Sequence, residues 1–328
     1  MNRTTITRAP SGLLLTGLLS LAALTSHAQE AYPSRSIRVL VPYSAGSTAD
    51  LTARVVAQKI AGPLGQSVVV ENRAGANGAV GMQATAQARP DGYTVVVTAG
   101  SAMSAAQALS KTMPYDPVKD FSPVSLLGTS ALVLVVGKDF PANSIQEFIS
   151  LVKAAPKDKY SYAAGGGLLQ LSMEALKWRA GLAMVGVNYK GPTEAAVDVM
   201  AGRVAILSAG LSAQMPFIKD GRMKAMAIFN ARRHPSLPNV PTMIETGYKD
   251  MEIVGWTGVF GPAGMPAAIV NRLSGEINKA LVADDVKKTF DTAGFDAEGN
   301  TPAQFAKFLS EDIARFEAIV NAAGIAKQ

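Results

Sequence analysis

Short β-type runs alternate with amphipathic helical patterns along most of this chain. The runs Ile37–Val41, Ser67–Glu71 and Tyr93–Thr98 are each followed by a helical segment, and the alternation resumes between Tyr160 and Leu207. Parallel strands need a long crossover of this kind, usually a helix, whereas antiparallel strands can be joined by tight turns. The alternation therefore predicts an α/β fold in which a largely parallel sheet is flanked by helices.

Two segments interrupt this alternation and are suited to cross between two lobes. A Pro-containing loop at 114–123 precedes the long apolar run 124–136, and Lys224–Phe229 is a second β-type run of the same character. A chain of 328 residues is long enough to form two lobes with separate cores. We expect a discontinuous first lobe from residues 29–128 and 229–328, and a second lobe, 129–228, inserted between two crossing strands.

The N-terminal segment predicts export from the cytoplasm. Arg3 and Arg8 flank the start of the chain, an uncharged apolar run extends from Gly12 to Leu24, and Ser26-His27-Ala28 follows. This is the pattern of a secretory signal peptide, with cleavage expected after Ala28. A transmembrane anchor is the alternative, but a helix over this run would span only ~20 Å of a hydrocarbon core that is ~30 Å thick.

The residue types that hydrolases and zinc enzymes require are scarce. The chain has no Cys, and only His234 remains once the signal peptide is removed, so Ser–His–Asp triads and the common zinc sites lack their components. The Gly-rich stretch 75–81 has the spacing G-x-x-G-x-x-G, and no Walker lysine follows any Gly-rich loop. We therefore expect no catalytic residues, no cofactor and no metal site.

The charge balance is mildly basic. Removing Arg3 and Arg8 with the signal peptide leaves 29 basic and 25 acidic residues, spread along the chain. Proteins that bind nucleic acid concentrate their basic residues on one face, so a nucleic-acid partner is not expected. A small anionic ligand remains compatible with this balance.

Three junctions between a strand and a helix are rich in small and hydroxyl residues. They comprise residues 42–50, 71–78 and 164–167. Small residues let the backbone approach a ligand closely, and the N–H groups at a helix start favour anions. Three or four charge-assisted hydrogen bonds of ~1.5–3 kcal/mol each can support micromolar binding after the costs of association. The alternative is that these glycines only end strands and begin turns.

Seven short motifs together carry a resemblance over nearly all of the mature chain. They are Tyr32-Pro33 with Ile37, residues 41–50, 70–78 and 90–94, Tyr189-Lys190-Gly191, Gly202-Arg203-Val204 and Gly255-Trp256-Thr257-Gly258. In these motifs the chain resembles the Bug-type periplasmic solute receptors of tripartite tricarboxylate transporters. The resemblance implies a two-lobed periplasmic binding protein of type II, a Venus flytrap, that closes on a small carboxylate in the periplasm and delivers it to membrane permease subunits. We expect such a receptor to act as a monomer.

The resemblance also implies which residues hold the ligand. In lobe one they are Tyr43, Ser44, Ala45, Gly46, Ser47, Ala76 and Asn77, with Gly100 and Ser101 bordering the cleft. In lobe two they are Gly165, Gly166 and Gly167, the Tyr189-Lys190-Gly191 turn and the Ser208-Ala209 loop. Ser47 stands where the family usually has the second of two adjacent glycines, so it adds a hydroxyl to the site. Asp50 is expected to organise its loop as a helix N-cap and not to contact the ligand.

The identity of the ligand stays open at this point. Monocarboxylates, short or aromatic dicarboxylates such as terephthalate, acidic amino acids and citrate-like tricarboxylates all suit the family. Lys190 is the only charged residue among the implied contacts, which weighs against three carboxylates. Two other functions remain as alternatives: a sensor that presents its closed form to a signalling partner, and a periplasmic hydrolase, for which the chain offers no credible base.

Overall fold

The computed structural model describes residues 32–164, 167–189 and 192–327, together with residues 1 and 5. The predicted cleavage after Ala28 and nearly all of the signal peptide lie outside the described residues, as do Gly165, Gly166, Lys190 and Gly191. What the sequence predicts for those positions stays a prediction.

The first lobe is a mixed sheet covered by helices, and the chain enters it twice. Its strands are β1 (Ile37–Val41), β2 (Val68–Asn72), β3 (Thr94–Ala99), β4 (Phe121–Ser130), β10 (Gly255–Pro262) and β11 (Asp296–Ala297). Its helices are α1 (Thr48–Leu64), α2 (Ala79–Ala86), α3 (Ser104–Leu109), α8 (Ala267–Leu281), α9 (Asp284–Ala293) and α10 (Pro302–Ala322). The strand order is β11-β4-β10-β3-β1-β2, in which β1, β2 and β3 are parallel and β10 runs antiparallel to both of its neighbours.

The second lobe has the same layered construction. Its strands are β5 (Leu132–Gly137), β6 (Ser161–Ala164), β7 (Val185–Asn188), β8 (Ile206–Gly210) and β9 (Met223–Ile228). Its helices are α4 (Ile145–Ala154), α5 (Gly167–Ala180), α6 (Pro192–Met200) and α7 (Leu211–Lys219). The order is β7-β6-β8-β5-β9, with β6, β7 and β8 parallel and β5 antiparallel to both β8 and β9. Every residue of β5 is buried, because helices cover both faces of the sheet.

The strand registers bring one edge of each sheet to the point where the chain crosses between the lobes. In the first sheet, Ser130 at the end of β4 pairs with Gly255, and Ala99 at the end of β3 pairs with Thr257. In the second sheet, Leu132 at the start of β5 pairs with Gly210 at the end of β8. A single residue, Ala131, separates β4 from β5. The carboxyl ends of the parallel strands of both lobes therefore lie near this crossover. The region bordered by the loops that follow these strand ends is called the cleft.

Helix α10 connects the two lobes as a third element beside the two chain crossings. Phe305 and Leu309 in its first half pack into a core cluster of the first lobe with Trp256 and Phe260. Three side chains of its second half, Phe316, Ile319 and Val320, pack into the main core cluster of the second lobe. The helix begins with the predicted capping box, in which Thr301 and Gln304 satisfy each other's backbone amides.

Two local predictions from the sequence are wrong. The segment Ser208-Ala209 is not a loop but part of β8, and both residues are fully buried. The N-cap of α1 is Ser47 and not Asp50, which occupies the third helical position.

Two of the motifs that carry the resemblance fix the start of the described chain to the first lobe. The Tyr32 hydroxyl donates to the Gly92 carbonyl at 2.8 Å, and the rings of Tyr32 and Tyr93 meet edge to face at 5.2 Å. Gly92 has a φ of +80°, and a Cβ there would lie 2.4 Å from Ile269 and 2.8 Å from Tyr32. The contact with Tyr32 therefore requires glycine at position 92. These two motifs stabilise the fold at the edge of the sheet opposite the cleft.

Within the described residues, no helix combines the length and apolar character that crossing a bilayer needs.

Candidate functional site

The loop between β1 and α1 is the first element at the cleft edge. Ser44, Ala45 and Gly46 are exposed, and Gly46 adopts a φ of +81°, which favours glycine. The Ser47 hydroxyl accepts a hydrogen bond from the Asp50 amide at 3.3 Å and so caps the helix. The hydroxyl predicted to face a ligand therefore has a structural partner as well, and its O–H donor and one lone pair remain for a bound molecule.

Replacing Ser47 tests this cap directly. Ser47→Ala is expected to lower the free energy of unfolding by about 1 kcal/mol, because the helix loses its N-cap acceptor. Ser47→Asn supplies a new acceptor at the same position and is expected to retain wild-type stability. Urea unfolding followed by circular dichroism measures both values; equal losses in the two variants would show that the cap is not the source of the effect.

A buried carboxylate holds this loop in shape. Asp50 is 2% exposed, and its Oδ2 accepts the Gly46 amide at 2.9 Å and Arg54 Nε at 3.1 Å. Its Oδ1 accepts Asn72 Nδ2 at 2.9 Å, and the same amide group donates to the Tyr43 carbonyl at 3.1 Å. Burial by itself raises the pKa of Asp50, but hydrogen bonds from Arg54, Gly46 and Asn72 and the charge of Arg54 outweigh it, so that the pKa lies below its ordinary value. Asp50 thus organises the loop, as predicted, although from inside the helix and not as its cap.

Tyr43 links the ends of the two parallel strands β1 and β3. Its hydroxyl lies 3.0 Å from Ser101 Oγ and accepts the Ala99 amide at 3.3 Å. The ring is half-buried between two core clusters of the first lobe. Two predicted site residues, Tyr43 and Ser101, are therefore brought together at the cleft edge.

The loop after β2 also lies at this edge, because β1 and β2 are parallel neighbours. Its backbone is unusual, with φ values of +142° at Gly75, +45° at Ala76 and +95° at Gly78. Ala76 is exposed, and Asn77 lies within a short 3₁₀ helix that leads into α2. At Gly81, in α2, the backbone approaches Pro42 so closely that a Cβ on this glycine would lie 2.9 Å from Pro42 Cβ. This packing brings the loop after β2 against the loop after β1.

The loop after β3 rests on an indole ring. Gly100 is buried, and a Cβ there would lie 2.6 Å from Trp256 Nε1, so only glycine fits over the ring. The neighbouring Ser101 is exposed. Trp256 belongs to a motif that carries the resemblance, but no pattern in the sequence indicates that it supports Gly100 from below.

In the second lobe, the structure describes only part of the predicted site. Gly167, the first residue of α5, is exposed at the cleft edge with a φ of +50°. The Tyr189 hydroxyl donates to Asp198 Oδ2 at 2.7 Å, and Arg203 Nε holds the other oxygen of that carboxylate at 2.9 Å. Burial, then the hydrogen bond and charge of Asp198, raise the pKa of Tyr189 to about 12. The Tyr189 side chain is therefore anchored to Asp198 of α6, and Arg203 supports that anchor.

Ser208 and Ala209 do not reach the surface of the second lobe. Both are fully buried, and the Ser172 hydroxyl donates to Ser208 Oγ at 2.6 Å. Because the two residues lie inside a central strand, a ligand contact through their side chains needs a rearrangement of β8. Their role in binding stays a prediction, but that prediction assumed a loop at positions where the structure has strand β8.

Two other features lie away from the cleft. A cavity of about 380 Å³ in the second lobe, lined by Gly137, Lys159 and Arg203 among others, sits at the opposite edge of the sheet, where β6 and β8 begin. The His234 side chain is only 19% exposed, and its Nδ1 accepts the Ser236 amide at 3.2 Å.

Comparison with known proteins identifies the family. The model of the tripartite tricarboxylate transporter family receptor matches residues 52–325. The chain belongs to this receptor family. The BugT protein of Bordetella pertussis is 35% identical over 297 residues, which cover 90% of this chain and 91% of BugT.

Two solved structures are similar to this receptor throughout. Rpa4515 of R. palustris with adipate is 30% identical, has a TM-score of 0.72, and matches 90% of this chain and 99% of its own. MatC of Rhodopseudomonas palustris with bound malate is 31% identical, has a TM-score of 0.69, and matches 88% of this chain and all of its own. The predicted Bug-type receptor family and the two-lobed fold are therefore confirmed, and the family is one of receptors and not of enzymes.

Proposed function

We propose that this chain is a monomeric periplasmic receptor that captures a small dicarboxylate between its lobes, delivers it to a membrane permease and carries out no catalysis. One observation carries the proposal. Helices α1, α2, α5 and α6 all begin at the two strand edges that face each other across the crossover. The first N–H groups of a helix have no partner within the helix and carry a partial positive charge, so a cleft bordered by several helix starts favours an anion.

A dicarboxylate suits this arrangement better than a larger or neutral ligand. Two carboxylates at the ends of a short chain can each meet one lobe, and the relatives MatC and Rpa4515 were solved with malate and with adipate. In lobe one we assign one carboxylate to the exposed loop at Ser44–Ser47 with Ala76, Asn77 and Ser101. In lobe two we assign the other to residues 165–167 and to Lys190, the only cation among the proposed contacts.

The mechanism follows from a ligand that bridges two lobes. A molecule that contacts both lobes binds the closed state more tightly than the open state, and so it shifts the population towards closure. Delivery then requires only that the permease recognise the closed form. The bodies that would move are the discontinuous first lobe, 29–128 with 229–328, and the second lobe, 129–228, and the pivot would lie near Ala131.

Calorimetry and thermal unfolding with malate, adipate and citrate test the proposal. We expect micromolar binding of at least one dicarboxylate, and a ligand at about 100 times its Kd adds ~2.7 kcal/mol to the free energy of unfolding. Lys190→Ala and Ser47→Ala are expected to weaken binding. Lys153→Ala is the control, because this exposed lysine lies in the last turn of α4. A protein that binds none of these anions, or whose affinity is unaffected by Lys190→Ala, contradicts the proposal or its assignment of lobe two.

A further inference from the structure

A buried carboxylate in α10 lies where this helix passes from the core of one lobe to that of the other. Asp312 is fully buried, three residues after Leu309 of the first-lobe cluster and four before Phe316 of the second-lobe cluster. An ionisable side chain buried this completely is rare unless its partners satisfy it. The partners of Asp312 therefore show what this carboxylate holds together.

Asp312 reaches two elements of the first lobe directly. Its Oδ2 accepts Trp256 Nε1 at 2.8 Å and also accepts the Ser104 hydroxyl. Ser104 Oγ lies 3.3 Å from the Gly100 carbonyl as well. The carboxylate therefore fixes both the indole beneath Gly100 and the first residue of the helix that follows it, and so it sets the position of the Gly100–Ser101 loop.

The same side chain is linked to the segment that returns from the second lobe. Asp312 Oδ1 lies 3.4 Å from Arg315 Nη1, which donates to the Glu252 carbonyl at 2.8 Å. Glu252 lies between β9 and β10, in the chain segment that passes from the second lobe back to the first. Arg315 is itself only 20% exposed. A continuous set of polar contacts thus joins the cleft loop, α10 and the returning crossing segment.

We propose that Asp312 is a positioning residue that couples the Gly100–Ser101 loop at the cleft to the resting angle between the lobes, through Trp256 and Ser104 on one side and Arg315 on the other. The inference rests on the proposed two-lobe binding function. It predicts that weakening the Asp312–Arg315 contact loosens the angle between the lobes even in the absence of any ligand.

Ligand-free distance measurements test this coupling. The chain has no Cys, so Val282→Cys in the first lobe and Val197→Cys in the second, both more than half exposed, accept spin labels without background. Asp312→Asn keeps an acceptor for Trp256 and Ser104 but removes the charge that faces Arg315. Arg315→Met removes the link to Glu252. We expect each variant to broaden the interlobe distance distribution at least about twofold, while circular dichroism shows an intact fold.

Two controls separate this effect from general loosening of the protein. Lys307→Met alters an exposed side chain of the same helix, 76% accessible, and is expected to leave the distribution unchanged. In a Trp178→Phe background, Trp256 is the one remaining tryptophan, so tryptophan fluorescence reports on its surroundings. In this background, Asp312→Asn is expected to shift the emission wavelength, whereas Lys307→Met is expected to leave it unchanged.

The outcomes distinguish the coupling from the receptor function. Unchanged distances in both folded variants overturn the coupling even if dicarboxylates bind. Broadened distances support it even if no dicarboxylate binds, because no ligand is present in the measurement. A third outcome is that Arg315→Met alone broadens the interlobe distance distribution and Asp312→Asn leaves the Trp256 emission unchanged. This result would assign the control of the interlobe angle to Arg315 and overturn the role of Asp312.

Discussion

Asp50→Ala is expected to lower the free energy of unfolding by about 2–3 kcal/mol and to weaken dicarboxylate binding at least about tenfold. The substitution removes an acceptor that serves the Gly46 amide, Arg54 and Asn72 at once. Leaving a buried donor without a partner costs ~1–3 kcal/mol. Here the hydrogen bonds from Gly46 and Asn72 are part-buried, and Arg54 is half exposed to water. The loop at Ser44–Ser47 then loses the contact that sets its shape, so binding falls more than stability alone would require.

Urea unfolding and calorimetry measure the two effects of Asp50→Ala. Asp285→Ala is the matched control, because Asp285 lies in the first turn of α9 and pairs with Lys59 on the surface, where the loss of an ion pair has little effect. A variant that is destabilised but binds normally would show that the loop keeps its shape without Asp50.

The low pKa of Asp50 gives the same prediction a pH dependence. A carboxyl group whose pKa is lowered on folding contributes stability above its unfolded pKa, near 3.8, and that contribution is lost as the pH falls through the folded pKa. The stability difference between the wild-type protein and Asp50→Asn should therefore be constant at neutral pH and shrink below about pH 4. A difference that grows on acidification would contradict the assigned direction of the shift.

The sequence predicts the layout of this molecule better than the details of its cleft. The strands β1, β2 and β3 could be located because each is a short run rich in Val. The capping box of Thr301 and Gln304 located α10 because both of its side chains act locally. Helix α7 was not predicted, since Pro216 lies inside it. The two-residue strand β11 is too short to leave a pattern.

The site contacts were harder to predict because they join residues that are far apart in the chain. Asp50 has the sequence pattern of an N-cap, and its partner Asn72 is 22 residues away. The sequence is equally compatible with a Tyr189 hydroxyl that faces a cleft or a helix, and the choice depends on Asp198 and Arg203. Trp256 and Gly100 are separated by about half of the chain and meet only because β10 pairs with β3. Sequence patterns indicate local periodicity. Contacts between residues far apart in the chain produce no such pattern, so they could not be predicted.

Gly100→Ala is expected to destabilise the protein by about 1–3 kcal/mol and to reduce dicarboxylate affinity about tenfold or more. The new Cβ would lie 2.6 Å from Trp256 Nε1 and 2.9 Å from its Cε2, far inside van der Waals contact. The indole has no room to move, because Asp312 holds its nitrogen and the rings of Phe305 and Phe308 each meet it edge to face at 5.7 Å. The loop must therefore move instead.

A second Gly→Ala substitution provides the control for the added methyl group. Gly62 lies in α1, and a Cβ there would have no atom within 4 Å, so Gly62→Ala is expected to be neutral or to stabilise the helix by about 0.5–1 kcal/mol. Thermal unfolding should show a loss of stability, and calorimetry a loss of dicarboxylate affinity, for Gly100→Ala but not for Gly62→Ala. In the Trp178→Phe background, Gly100→Ala alone should also shift the fluorescence emission of Trp256. Because the displaced loop carries Ser101 and its contact with Tyr43, the loss of affinity should exceed the loss expected from unfolding. An unshifted emission with normal affinity would mean that the loop after β3 lies outside the binding site.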